Sequence, residues 1–227
     1  GTGKTAGFTL PMLQKLESYA NSSTSPAKHP TRALILVPTR ELAIQVYESV
    51  RAYGKYVALK STVIYGGVNI DAQIAAIRSG VEILVATPGR LLDHLQQKNL
   101  ILSKIEMLIL DEADRMLDMG FLPDIKQIIQ MLPDQRQNLM FSATFSGEIK
   151  KLAGKILKSP ILVEVAKQNS VSNLISHIVY SVESKNKQEF LIDMIKKKNL
   201  QQVLIFTRTK HGADHLAQKL NNREILS

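Results

Sequence analysis

Ile105-Glu106-Met107-Leu108-Ile109-Leu110-Asp111-Glu112-Ala113-Asp114 runs from a mostly apolar stretch into three carboxylates within four residues. Such a stretch is the pattern of a strand covered on both faces of a parallel sheet, and it predicts a strand over 106–110. Asp111 then stands at the carboxyl edge of that sheet, where doubly wound folds bind their ligands. Taken alone, the acidic tetrad also suits the start of a helix, because carboxylates complement the positive end of the helix dipole.

Outward from this stretch, short β-branched runs alternate with amphipathic stretches, the pattern of repeated βα units. Strands are expected over 32–37, 61–65, 82–86, 137–142 and 161–165, and helices over 4–19, 40–53, 70–79, 90–97, 122–131 and 148–157. The expected fold class is α/β, a parallel sheet with helices on both faces. Residues 20–30 are rich in Ser, Asn and Pro and read as a solvated loop. The apolar pattern breaks at Lys167-Gln168-Asn169-Ser170, which suggests a first domain over 1–166 and a linker over 167–174. A second series follows over 175–227: strand 175–182, helix 187–197, strand 203–207 and helix 210–220. Two strands and two helices cannot bury both faces of a parallel sheet, so this segment is expected to open a second domain whose remainder is absent.

The other end of the chain carries Gly1-Thr2-Gly3-Lys4-Thr5. A glycine-rich turn ending in Lys-Thr supplies backbone amides, an ammonium and a hydroxyl for nucleotide phosphates and Mg²⁺. A full phosphate loop reads G-x-x-x-x-G-K-[ST], and only its last five positions stand here, so the chain is expected to begin inside the loop. Five such residues could be an ordinary turn with a surface lysine. Their joint occurrence with Asp111-Glu112 points to a nucleoside-triphosphate site.

The 227 residues allow one large domain, or one domain plus part of another, and 44% hydrophobic residues suffice for a core. A formal charge of +9 favours an acidic partner, although a merely soluble basic protein explains it about as well. The absence of cysteine closes disulfide and thiolate-metal chemistry and is compatible with a reducing cytoplasm. No signal-peptide pattern opens the chain and the apolar runs are too short to span a bilayer, so a cytoplasmic protein without membrane contact is expected.

Three further strings follow expected strands: Pro38-Thr39-Arg40-Glu41-Leu42-Ala43, Gly66-Gly67 and Thr87-Pro88-Gly89-Arg90. They bring hydroxyls, free amides and two arginines to one sheet edge, which suits a sugar-phosphate backbone read without regard to base. Thr39 and Thr87 are equally good helix caps, and Pro88 suits a first helical turn. Capping and phosphate contact can coexist.

With Asp111-Glu112-Ala113-Asp114 and Ser142-Ala143-Thr144, these motifs in this order resemble the DEAD-box family of ATP-dependent RNA helicases. The strings 85–93, 115–121 and 204–212 resemble the family's bacterial RhlE-like branch. The resemblance implies two RecA-like domains that close on ATP and single-stranded RNA, bending one strand and separating short duplexes. It also implies RNA–protein remodelling, with ribosome assembly or RNA turnover as the usual settings. Gly1, Thr2, Gly3, Lys4 and Thr5 would hold ATP, Thr5 and Asp111 would hold Mg²⁺, and Lys4, Asp111 and Glu112 would be catalytic. Asp114, Ser142, Ala143 and Thr144 would couple hydrolysis to closure. Pro38, Thr39, Arg40, Gly66, Gly67, Thr87, Gly89, Arg90, Phe206 and Thr207 would lie along RNA. The family's adenine-reading glutamine segment and its later arginine-rich motif have no match here, so this segment by itself is expected to be nearly inert. Two rivals stay open: an ATP-independent RNA-binding or annealing module, and a DNA helicase on the same scaffold.

Overall fold

The structure, a computed structural model, describes residues 3–163 and 176–226. It divides into two compact units, 1–168 and 169–227. The first is built on five parallel strands, β1 (Ala33–Leu36), β2 (Ser61–Ile64), β3 (Ile83–Ala86), β4 (Met107–Leu110) and β5 (Gln137–Met140), in the order β2-β3-β1-β4-β5. Burial follows position in that order. β1, β3 and β4 are buried at all four positions, β2 alternates, and β5 at the margin is the most exposed.

Alternation along the inner strands sorts side chains to two faces. Ala33, Ile35, Ile83, Val85, Met107 and Ile109 pack beneath α1 (Lys4–Leu16) and α2 (Arg40–Tyr53). Leu34, Leu36, Leu84, Ala86, Leu108 and Leu110 pack on the other face. There they meet α3 (Asp71–Arg78), α4 (Pro88–Gln96), α5 (Ala113–Asp118), α6 (Leu122–Gln130) and α7 (Gly147–Ile156). Fully burying a Leu or Ile side chain contributes about 1.5–3 kcal/mol, so the near-continuous apolar strands are what hold this sheet. It is a RecA-like α/β unit.

Helix α5 is not among the helices expected above, although the acidic tetrad also reads as a helix start. The residues serve both readings: Asp111 and Glu112 follow the end of β4 at Leu110, and Asp114 sits in the first turn of the next helix. The loop at 20–30 is pinned rather than loose. His29, fully buried, meets Glu82 through Nδ1 at 2.5 Å and the Ser23 carbonyl through Nε2 at 2.6 Å.

In the second unit, α8 (Lys187–Lys197) and α9 (Lys210–Asn221) pack through Ile192, Ile195, Leu216 and Leu220. The strands expected at 161–165, 175–182 and 203–207 are corrected: residues 161–163, 176–182 and 203–207 are irregular. Apolar runs become strands only when a neighbour takes their backbone donors and acceptors, and these segments have no ladder partner among the described residues. Residues 164, 165 and 175 of those strands lie outside the described residues, as does the whole expected linker at 167–174.

Candidate nucleotide and nucleic-acid site

The register fixes where the motifs meet. Leu36 pairs with Ala86 and Leu110, Ile64 with Ala86, and Leu110 with Met140. All five strands therefore end level. The segments beginning at Val37, Tyr65, Thr87, Asp111 and Phe141 leave from one carboxyl edge.

Gly3 opens α1 in the left-handed region (φ 73°), which glycine adopts without steric cost. The helix has no side-chain cap and no acid in its first turn. Its free amides and positive dipole end therefore have no anion of their own, the condition for phosphate binding. Gly1 and Thr2 lie outside the described residues.

Asp111 is 4% exposed. Burial raises its pKa, against a hydrogen bond from the Glu112 amide (3.0 Å to Oδ1) and the nearby Lys4 charge, which both lower it. A carboxylate whose charge is disfavoured by burial, with no described side chain donating to it, suits a hard divalent cation. No cluster of three or more His, Cys, Asp or Glu able to hold a metal occurs among the described residues. Glu112 follows at φ 50°, ψ 51°. A non-glycine residue held there costs on the order of 1–3 kcal/mol and such residues cluster at functional sites. Its carboxylate faces Arg115 at 3.4 Å.

Asp114 reaches the next strand's exit. Its Oδ2 accepts from the Thr144 amide at 2.9 Å and the Thr144 hydroxyl at 3.0 Å, while Oδ1 accepts from the Arg115 amide at 3.1 Å. Burial pushes the carboxyl up, but the hydrogen bonds from Thr144, Arg115 and Ser142 outweigh it and leave the pKa lowered. Ser142 in turn donates to the Thr144 carbonyl at 2.7 Å. The Ser142-Ala143-Thr144 turn is thereby tied to α5.

Along the same edge Pro38 is buried, Thr39 caps α2 by accepting from the Leu42 amide (3.3 Å), and Arg40 is exposed with its guanidinium 5.4 Å from the Tyr65 ring. At Gly66, Gly67 and Gly89 an added Cβ would meet nothing within 4 Å, so bare backbone faces open space. Thr87 is buried and, unlike Thr39, makes no capping hydrogen bond. Arg90 is not a free cation. Its guanidinium donates to the Val68 carbonyl (3.0 Å) and Gln73 Oε1 (3.4 Å) and pairs with Asp93 (3.5 Å). Gln73 Nε2 donates to the Tyr65 carbonyl (3.1 Å), and its Oε1 also accepts from His94 Nε2 (3.3 Å). Burial and Arg90 hold the His94 pKa down, against Asp93.

In the second unit Phe206 is 87% exposed and the Thr207 hydroxyl donates to the Thr209 carbonyl at 3.0 Å. Both line a cleft of about 400 Å³ within that unit.

The DEAD/DEAH box helicase family model matches residues 1–152, the span that holds every motif of the first unit. The chain belongs to this family. It is 37% identical over its whole length to the DEAD-box ATP-dependent RNA helicase RhpA of Helicobacter pylori (strain B128), covering 44% of that protein. It is 40% identical over 98% of its length to the DEAD-box ATP-dependent RNA helicase CshA of Streptococcus pneumoniae serotype 4, covering 41%. It is 38% identical over 97% of its length to the ATP-dependent RNA helicase RhlB of Pseudomonas putida, covering 56%. The chain spans about half the length of the curated relatives it matches. These relatives belong to several branches, so the RhlE-like assignment is not singled out.

For this DEAD/DEAH box member, sequence reasoning missed Gln73, His94 and Tyr65, which build the support beneath Gly66-Gly67. A glutamine inside a helix has no local signature. Its role arises only once α3 and α4 lie side by side. No helix among the described residues is long and apolar enough to cross a membrane.

Proposed function

We propose that the complete protein is an RNA-dependent ATPase of the RhlE-like branch. It separates short RNA duplexes locally, or remodels RNA–protein complexes, by ATP-driven closure of two RecA-like domains, the first at 1–166, joined by 167–174 to a second that opens at 175–227. The observation that carries this reading is the charge relation between Lys4 and buried Asp111 on the same sheet edge as the bare backbone of Gly66, Gly67 and Gly89. In it, Gly1 to Thr5 and the first amides of α1 hold the phosphates, with Lys4 reaching the β/γ-phosphates. Thr5 and Asp111 would hold Mg²⁺, which would supply charge neutralisation at the transferred phosphoryl group. Glu112 orients the attacking water. Asp114, bonded to Thr144, links the site to closure through Ser142-Ala143-Thr144.

RNA runs along Pro38, Thr39, Arg40, Gly66, Gly67, Thr87 and Gly89, with Phe206 and Thr207 meeting it from the second domain. Arg90 contributes by holding Val68 rather than by free contact. The proposed setting is the cytoplasm, with ribonucleoprotein or ribosome-assembly partners. The test is ATP hydrolysis by the complete protein with oligouridine or oligodeoxythymidine added. Stimulation by the RNA alone is expected. Equal stimulation by DNA would assign a DNA helicase, and duplex annealing without hydrolysis would assign the ATP-independent module.

A further inference from the structure

The amino-terminal edge of the sheet, opposite the motifs, holds a cleft of about 570 Å³ between the ends of α2 and α3 and the starts of β2 and β3. Arg51, Lys55 and Lys60 face it, and no carboxylate does. The segment 51–60 reads Arg-Ala-Tyr-Gly-Lys-Tyr-Val-Ala-Leu-Lys, so cations and aromatics interleave without an acid. Tyr56 is 90% exposed and Tyr53 45%. A tyrosine left this far in water contributes almost nothing to the fold by burial. The Lys55 ammonium lies 5.3 Å from the Tyr56 ring centroid and the Arg51 guanidinium 5.7 Å from that of Tyr47, so the aromatics stand beside the cations.

We propose that this edge is a second binding surface for single-stranded RNA, separate from the motif edge. Arg51, Lys55 and Lys60 take backbone phosphates at the cleft and Tyr56 stacks on a base, the combination by which sequence-tolerant single-strand sites work. An acidic peptide would satisfy the cations and leave the exposed ring unused, which favours RNA. The choice of RNA over other polyanions rests on the function proposed above. Four-residue strands are about 13 Å long, so a few nucleotides on the motif edge do not reach this one, and a longer strand is needed to occupy both.

Fluorescence anisotropy of the 227-residue chain with fluorescein-labelled oligouridine of about 25 nucleotides, longer than one site of this type, tests the proposal. Tyr56→Ala and Lys55→Glu are each expected to weaken binding about tenfold, while Tyr56→Phe binds as the parent does. Thermal melts of the variants should match the parent, because both side chains are exposed. Irradiation with a 4-thiouridine oligomer should crosslink within 51–60. Unchanged affinity in Tyr56→Ala and Lys55→Glu, with weakening in Arg40→Ala, overturns this surface and leaves the motif edge standing. Loss in the Tyr56 and Lys55 variants but not in Arg40→Ala supports this surface as the one that binds in this chain. Absence of any oligouridine binding overturns this surface, and displacement of bound RNA by polyglutamate as readily as by unlabelled RNA would assign the cleft to an acidic protein.

Discussion

Two carboxylates three residues apart, Asp111 and Asp114, are held in opposite directions. Burial raises the Asp111 pKa, so its ionised form costs the ligand-free fold stability that returns as pH falls through the raised value. Asp111→Asn is expected to raise the melting temperature of the ligand-free chain near pH 7, with the gain disappearing in acid. Asp114 is lowered in the folded state by the Thr144, Arg115 and Ser142 hydrogen bonds despite burial. Its contribution is therefore present above the unfolded value and lost as pH falls through the folded one. Asp114→Asn should lower the melting temperature near neutrality, and melts across a pH series should show the difference from the parent closing in acid. Glu112 sits between them in the left-handed region. In the complete protein Glu112→Gln should cut kcat by about 10²–10⁴ while nucleotide affinity stays within a few fold, since the change removes a base and not a ligand. Single-turnover hydrolysis beside a nucleotide titration would read both, and near-parental turnover would refute the assignment.

Helices here act as supports for the loops at their ends. The Gly66-Gly67 turn hangs from two backbone carbonyls, Tyr65 held by Gln73 of α3 and Val68 held by Arg90 of α4. Arg90→Ala removes the donor to the Val68 carbonyl in a partly buried setting, which costs about 1–3 kcal/mol, while Gln73 Oε1 keeps its bond from His94. Faster amide hydrogen exchange at 66–68 is expected alongside weaker RNA binding for all sequences. Arg40→Ala should weaken binding without disturbing exchange there, which separates a supporting arginine from a contacting one. The Thr39 cap is worth about 1 kcal/mol, so Thr39→Ala should lower the melting temperature by roughly 2–4 °C in a chain of this size. Thr87→Ala should not act through capping, because its hydroxyl makes no cap bond.

At the scale of the molecule, a formal charge of +9 and the proposed contacts to phosphate and sugar predict binding that weakens steeply with salt and barely depends on base. Equal-length oligouridine and oligocytidine titrated at two salt concentrations would check this, and strong base discrimination would sink it. The sequence by itself determined the α/β class and the central strands, because runs such as Ala33–Leu36 and Met107–Leu110 are apolar enough to be buried whatever surrounds them. It also determined the order of the motifs, whose residue types carry phosphate chemistry at any sequence separation. Only the tertiary structure decided which strands would exist at the periphery: 161–163, 176–182 and 203–207 have strand-like composition, yet a strand needs a hydrogen-bonded neighbour and composition cannot supply one. The pinning of the 20–30 loop by His29 and Glu82, and the use of Arg90 as a strut, were likewise decided there. Those roles belong to pairs of residues distant in the chain, and such pairs come into being only when the sheet and its helices pack.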